Sequence, residues 1–249
     1  MEIGAQLFTV KDYCQDLQSF SETLKRVADI GYKNVQISGV CEYESKWLEN
    51  ELQKNGLKCV LTHIDANKLI NETVEVAKVH DVLNCDYVGL GWFPHNPDKE
   101  NQRTEDFFKI YKPVAQKLKE CGKLLMYHNH DQEFKKINGV PVMQLLADSM
   151  TEDSIGFTLD TFWVQAGGGD PAQWLEKLSG RVPCIHLKDF AYGRKMSVLG
   201  EGNINFERIF EKAESSETKY MLVEQDDCNG ENPFDCLKRS YAYLRSCGF

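Results

Sequence analysis

Residues 155–190 read IGFTLDTFWVQAGGGDPAQWLEKLSGRVPCIHLKDF. IGFTLD is a short apolar run that stops on an aspartate, and CIHLKDF is a second run that closes on His186, Lys188 and Asp189. Between them, AGGGDP is a loop that leads into a helix begun near Asp170. Strand, helix, strand in this order is a βα repeat, and such repeats build parallel sheets covered by helices.

The same alternation runs along the whole chain. The candidate strands are IGAQLF (3–8), NVQIS (34–38), CVLTHI (59–64), YVGLGW (87–92), LLMYHNH (124–130), IGFTLD (155–160), CIHLKDF (184–190) and YMLVEQD (220–226). Helical spacing fills the intervals. Phe20, Leu24, Val27 and Ala28 form one buried stripe, with Ser19 and Glu22 placed for a capping box and Gly31 where a helix should stop. Phe107, Ile110, Tyr111, Val114 and Leu118 form another, in which Pro113 should kink the helix or mark its break. Phe206, Ile209, Phe210 and Ala213, then Phe234, Leu237, Tyr241 and Leu244, repeat the pattern. Eight units in 249 residues, with no Pro/Gly/Ser linker between them, predict a single-domain (β/α)8 TIM barrel over residues 1–249. A doubly wound sheet would want a glycine-rich phosphate turn after the first strand, and GAQLFTVKD has none.

Composition narrows the function. Lys plus Arg total 29 against 38 Asp plus Glu, a formal charge of −9, which argues against a nucleic-acid partner because phosphate-backbone binding runs on clustered cations. The nine cysteines are scattered and never spaced C-x-x-C, so reduced thiols in a cytoplasmic protein are expected. No apolar run approaches the ~20 residues of a membrane span, and MEIGAQLFTV lacks the basic and apolar parts of an export signal.

In a barrel the strand C-termini share one face, and here they carry polar groups that burial would otherwise disfavour. The first two end near Gln6 and Gln36, the third at His63 and Asp65, and the fifth at His128, Asn129 and His130, with Glu133 just beyond. The sixth ends at Asp160, the seventh at His186, Lys188 and Asp189, and the eighth at Glu224, Gln225 and Asp226. A single His or Asp after a strand is usually a cap or a wet turn. Asp160, His186 and Glu224, however, terminate three successive strands, which lie ~4.8 Å apart and so bring their side chains to one ion. Mixed oxygen and nitrogen ligation suits Mn²⁺, Co²⁺, Mg²⁺ or Zn²⁺. AGGGDP would either cradle a phosphate or simply lead into its helix. In VLGEGNINF, residues 198–206, Gly200, Glu201 and Gly202 would form a tight active-site turn, with Asn203 or Asn205 capping the next helix. Trp92, Phe93, Phe162 and Trp163 would stack on a sugar ring or pack the loops. Exposed aromatic loops would also suit a homo-oligomer.

YHNHDQEF, TLDTFWVQAGGGDP, CIHLKDF, VLGEGNINF and LVEQD resemble, in order and spacing, the sugar phosphate isomerase/epimerase group of the xylose isomerase-like barrel superfamily, over essentially the whole chain. The resemblance implies a divalent metal at the barrel mouth. Asp160, His186 and Glu224 match three ligand positions; His128 is favoured for the fourth, and Glu133 is kept as an alternative ligand or acid/base group. Several ketose epimerases of this group carry a substrate-binding histidine where Trp163 stands here.

The implied reaction removes a proton from the carbon beside a carbonyl, with the metal stabilising the enediolate. Glu224 is the expected base, with Glu133 or His130 on the opposite side. Gln6, His63, Trp92, Trp163, Lys188 and Glu201 are the expected substrate contacts, Lys188 supplying positive charge or pairing with Asp189 or Asp160. The substrate is a small sugar or sugar phosphate. Three other readings share these residues: a dehydratase of inososes or keto-sugars using the same enolate, an AP endonuclease-type nuclease, and a sugar-binding protein without turnover. The net charge and the six histidines count against the nuclease.

Overall fold

The eight predicted apolar runs supply the strands of a closed barrel. In the computed structural model, which describes residues 1–94 and 100–249, the strands are β1 (Glu2–Gln6), β2 (Asn34–Ile37), β3 (Lys58–His63), β4 (Tyr87–Leu90), β5 (Leu124–His128), β6 (Ile155–Asp160), β7 (Cys184–Leu187) and β8 (Tyr220–Val223). They pair in the order β1-β8-β7-β6-β5-β4-β3-β2, β2 closing onto β1, and every pairing is parallel. This is the (β/α)8 barrel expected from the repeat.

The helices around it are α1 (Leu17–Ile30), α2 (Ser45–Lys54), α3 (Ala66–Asn71), α4 (Thr73–Val82), α5 (Glu100–Glu120), α6 (Val142–Ser149), α7 (Thr161–Ala166), α8 (Pro171–Lys177), α9 (Phe206–Ser215) and α10 (Pro233–Ser246). Their apolar stripes are buried largely as the spacing predicts: Phe20, Leu24 and Val27 of α1 are fully covered, each worth about 1.5–3 kcal/mol of burial, whereas Ile110, expected in the α5 stripe, is exposed. Two local expectations change. The α1 capping box uses Asp16 and Ser19, the Ser19 N–H donating to Asp16 Oδ1 at 2.9 Å, so the cap lies three residues before the Ser19 expected in that place. And α5 runs unbroken through Pro113, which lies on the exposed face, where a carbonyl left without its donor is open to water. No described helix is long and apolar enough to cross a membrane.

Most strands end earlier than their apolar runs suggested. Within the barrel YMLVEQD pairs only through Val223 and CIHLKDF only through Leu187; beyond it, Asp189–Ala191 pairs instead with Lys195–Ser197 in a small antiparallel sheet. The lumen is layered. Toward the strand starts, Leu61, Tyr87, Met126, Cys184 and Leu222 pack into an apolar plug. Two residues further along the same strands, on the same face, stand His63, His128, His186 and Glu224.

Candidate metal centre

The period of two is what turns this plug into a site. Met126 leads to His128, Thr158 to Asp160, Cys184 to His186, and Leu222 to Glu224. Asp160 and His186 are direct partners across β6 and β7, and Glu224 follows by two the Leu222 that pairs with His186. One ligand atom from each of His128, Asp160, His186 and Glu224 lies within 4.8 Å of all the others, and all four residues are buried. Such a set can hold a divalent ion.

The surrounding hydrogen bonds aim the ligand atoms inward. His128 Nδ1 lies 3.1 Å from the Gly91 carbonyl, which only accepts, so Nδ1 carries a proton, and Nε2 faces Asp160 Oδ2 at 3.3 Å. His186 Nε2 is held by Gln36 Oε1 at 2.6 Å, leaving Nδ1 to face Glu224 Oε2 at 2.8 Å and Asp160 Oδ2 at 3.8 Å. Orienting an imidazole through its far nitrogen is how metal-binding histidines are usually prepared. Asp160 Oδ1 accepts the Trp163 N–H at the start of α7 at 2.9 Å, which leaves Oδ2 for the centre. His186 Nδ1 and Glu224 Oε2, although 2.8 Å apart, are not aligned as a hydrogen bond and have no other aligned partner. Two buried acceptor sites directed at common space fit a cation between them. Gly91 matters twice here, because a Cβ on it would stand 2.8 Å from His63 Nδ1.

Charge supports the same conclusion. Lys188 Nζ lies 3.0 Å from each of Asp160 Oδ2, Glu224 Oε2 and Asp226 Oδ2, so three carboxylates share one buried ammonium. Burial pushes the Asp160 and Glu224 carboxyls up, but Lys188 and the imidazoles outweigh it and hold both well below the usual carboxylate range. Asp226, raised by burial and by Glu224, reaches about 6. For His186, burial opposes the charged ring, yet Glu224 and Asp160 raise it to about 9; a proton takes the place a cation would have. Burial and His128 lower His130 to about 3, so that ring is neutral.

A cavity of about 510 Å³ opens above the cluster, lined by His63, Trp92, His130, Lys188, Glu224 and Asp226 among others, a size that suits a small molecule. Of the expected substrate contacts, His63, Trp92 and Lys188 line it. Gln6 is buried in the lumen, its Oε1 accepting from the Phe8 N–H. Trp163 stands behind His130, ring centres 5.3 Å apart. Glu201 points elsewhere and pairs with Arg239 at the surface. Glu133 is not brought to the cluster: its carboxylate is buried against the Arg103 guanidinium, accepts the Tyr127 hydroxyl at 2.9 Å and takes the His130 N–H at 2.6 Å. Lys188 pairs with Asp160 but not with Asp189, which binds the loop after β7. Asp226, Ser38 and Gln36 were not assigned to the site from sequence. The signal for them was the same period of two, since Asp226 follows Glu224 and Ser38 follows Gln36 by one step. Ser38 Oγ lies 3.1 Å from His63 Nδ1.

Residues 24–247 match the protein family described as xylose isomerase-like TIM barrel. The chain belongs to that family. Among solved structures, this xylose isomerase-like barrel is similar to a sugar phosphate isomerase/epimerase from Parabacteroides distasonis (TM-score 0.85, 23% identity, 98% of this chain and 93% of that one). It is also similar to a probable 3-DHS dehydratase from Bacillus anthracis (TM-score 0.78, 14% identity, 98% and 99%) and to an L-ribulose 3-epimerase (TM-score 0.73, 15% identity, 98% and 94%). At these identities the likeness is one of fold. No curated protein matches the sequence.

Proposed function

We propose that this xylose isomerase-like barrel is a divalent-metal-dependent isomerase or epimerase of a small sugar or sugar phosphate. The observation that carries the reading is the convergence of His128, Asp160, His186 and Glu224, ligand atoms within 4.8 Å, at the foot of a cavity of sugar size.

These four residues would hold the ion, and Mn²⁺, Co²⁺, Mg²⁺ and Zn²⁺ all suit their oxygen and nitrogen donors. Bound, such an ion supplies Lewis-acid stabilisation of negative charge on the substrate carbonyl oxygen. The rest is the work of the side chains. Glu224 is ionised at neutral pH, borders the cavity and is the base we assign to the proton beside the carbonyl. His130 stands opposite as a neutral imidazole whose Nδ1 has no partner, able to accept or return a proton on the other face. Glu133 holds this arrangement from behind, through the His130 N–H, and is not assigned a proton-transfer role. Lys188 balances the carboxylates and offers an ammonium to a substrate hydroxyl. The nine cysteines are all free thiols, which fits work in the cytoplasm.

The deciding experiment follows the proton. Keto-sugars, inososes and sugar phosphates are incubated with the Mn²⁺-loaded protein in D₂O and followed by NMR. Deuterium at the carbon beside the carbonyl is expected, with epimer or isomer forming. Loss of water from the same carbon skeleton would move the reading to a dehydratase, and no exchange with any member of the panel would remove the enzyme reading.

A further inference from the structure

We infer that the mouth takes an uncharged keto-sugar and turns away its phosphate esters. The keto-sugar part rests on the isomerase reading; the exclusion of phosphate stands on its own geometry.

Barrels hold phosphate with backbone N–H groups at helix starts and glycine turns, above all after the seventh and eighth strands. In this chain several of those N–H groups already face acceptors of its own. The Asp189 carboxylate, buried just after β7, accepts from Gly200, Gly202 and Ile204 N–H at 2.9, 2.9 and 3.2 Å. A Cβ on Gly202 would stand 2.4 Å from Asp189 Oδ1, so the VLGEGNINF turn is shaped around a carboxylate where a phosphate would otherwise lie. Asp160 takes the Trp163 N–H of α7, and Asp65 those of Asn67 and Lys68 at the start of α3, at 2.9 and 3.1 Å. Asn205 and Asn232 cap α9 and α10. The glycines of AGGGDP are equally spent: Gly167, Gly168 and Gly169 donate to the Trp163, Gln165 and Val164 carbonyls.

Charge inside the cavity has the wrong sign for a dianion. Asp65, Glu224 and Asp226 line it, and Lys188, the one Lys or Arg among its described lining residues, already lies 3.0 Å from three carboxylates. With a divalent ion held, Asp160, Glu224 and Asp226 balance that ion and the Lys188 ammonium, and Asp65 is a further carboxylate on the cavity wall, so no excess positive charge remains to offset the desolvation of a phosphate. A neutral sugar instead meets Ser38, His63 and His130 as hydrogen-bonding groups, with the Trp92 and Phe8 rings as apolar walls.

Two measurements test this. The Mn²⁺-loaded protein is given D-fructose and D-ribulose beside D-fructose 6-phosphate and D-ribulose 5-phosphate in D₂O. Exchange of the free sugar is expected with kcat/KM at least about 100-fold above that of its ester; an ester that exchanges as fast as its parent overturns the inference. Second, the metal-free full chain is titrated with inorganic phosphate and its backbone amides are followed by NMR. No saturable shift is expected at Ser38, Gly91 or Gly202, and one there overturns the inference whatever the turnover results. Absence of exchange with every sugar, free or esterified, counts against the isomerase reading, while the titration still decides the phosphate question.

Discussion

Glu133 and Glu224 are both buried carboxylates at the same end of the barrel, and their surroundings are opposite. Glu133 is saturated: Arg103 and Tyr127 meet one oxygen and the His130 N–H the other. Glu224 has positive neighbours, with Lys188 at 3.0 Å and His186 at 2.8 Å, yet its Oε2 lacks an aligned hydrogen bond. The Glu133 carboxylate has both oxygens satisfied without a ligand and fixes the loop after β5. The Glu224 cluster is left open at its centre, as a binding site must be. Burial and residue type do not distinguish the two; the geometry of the donors does.

Substitutions can break this contrast. The largest effects belong to the open cluster. H186A should reduce bound metal, read by elemental analysis, to background, and E224Q should keep the fold by circular dichroism while lowering kcat by about 10²–10⁴-fold. Wild-type metal content in the first, or wild-type turnover in the second, would end those assignments.

The saturated cluster should respond in stability instead. E133Q leaves the Arg103 guanidinium buried without its counter-charge, and a loss of about 3–5 kcal/mol in urea unfolding is expected, with metal content per folded molecule unchanged. Metal loss without a stability change would reverse the two roles.

His80 sharpens the same idea with pH. Both its ring nitrogens are engaged, Nδ1 with the Val76 carbonyl at 2.7 Å and Nε2 with the Thr62 hydroxyl at 2.8 Å, and burial lowers it from 6.5 to about 4. As pH falls below 6.5, the unfolded chain takes up a proton that the folded chain refuses. The stability difference therefore shrinks between about pH 6.5 and 4, by up to about 3 kcal/mol. Urea midpoints of wild type and H80Q at pH 7 and 5 should show this acid sensitivity reduced in the variant; equal slopes would contradict it. The smallest effect is at the surface, where E201Q breaks the pair with Arg239 and should cost under about 1 kcal/mol with kcat unchanged.

The sequence by itself determined the barrel, because eight apolar runs separated by helical stripes have one economical closure and the alternation of two along each strand chooses the inner face. It also placed Asp160, His186 and Glu224 at neighbouring strand ends, since the parallel order alone brings them together. Only the tertiary structure decided which groups are free to act. Nothing local shows that Gln36 fixes the His186 ring from far along the chain, that Asp226 joins Lys188, that Arg103 claims Glu133, or that Glu201 turns toward Arg239. Those outcomes depend on which donors arrive within hydrogen-bond reach once the barrel closes, and hydrogen-bond strength falls too steeply with distance and angle for residue type and spacing to reveal it.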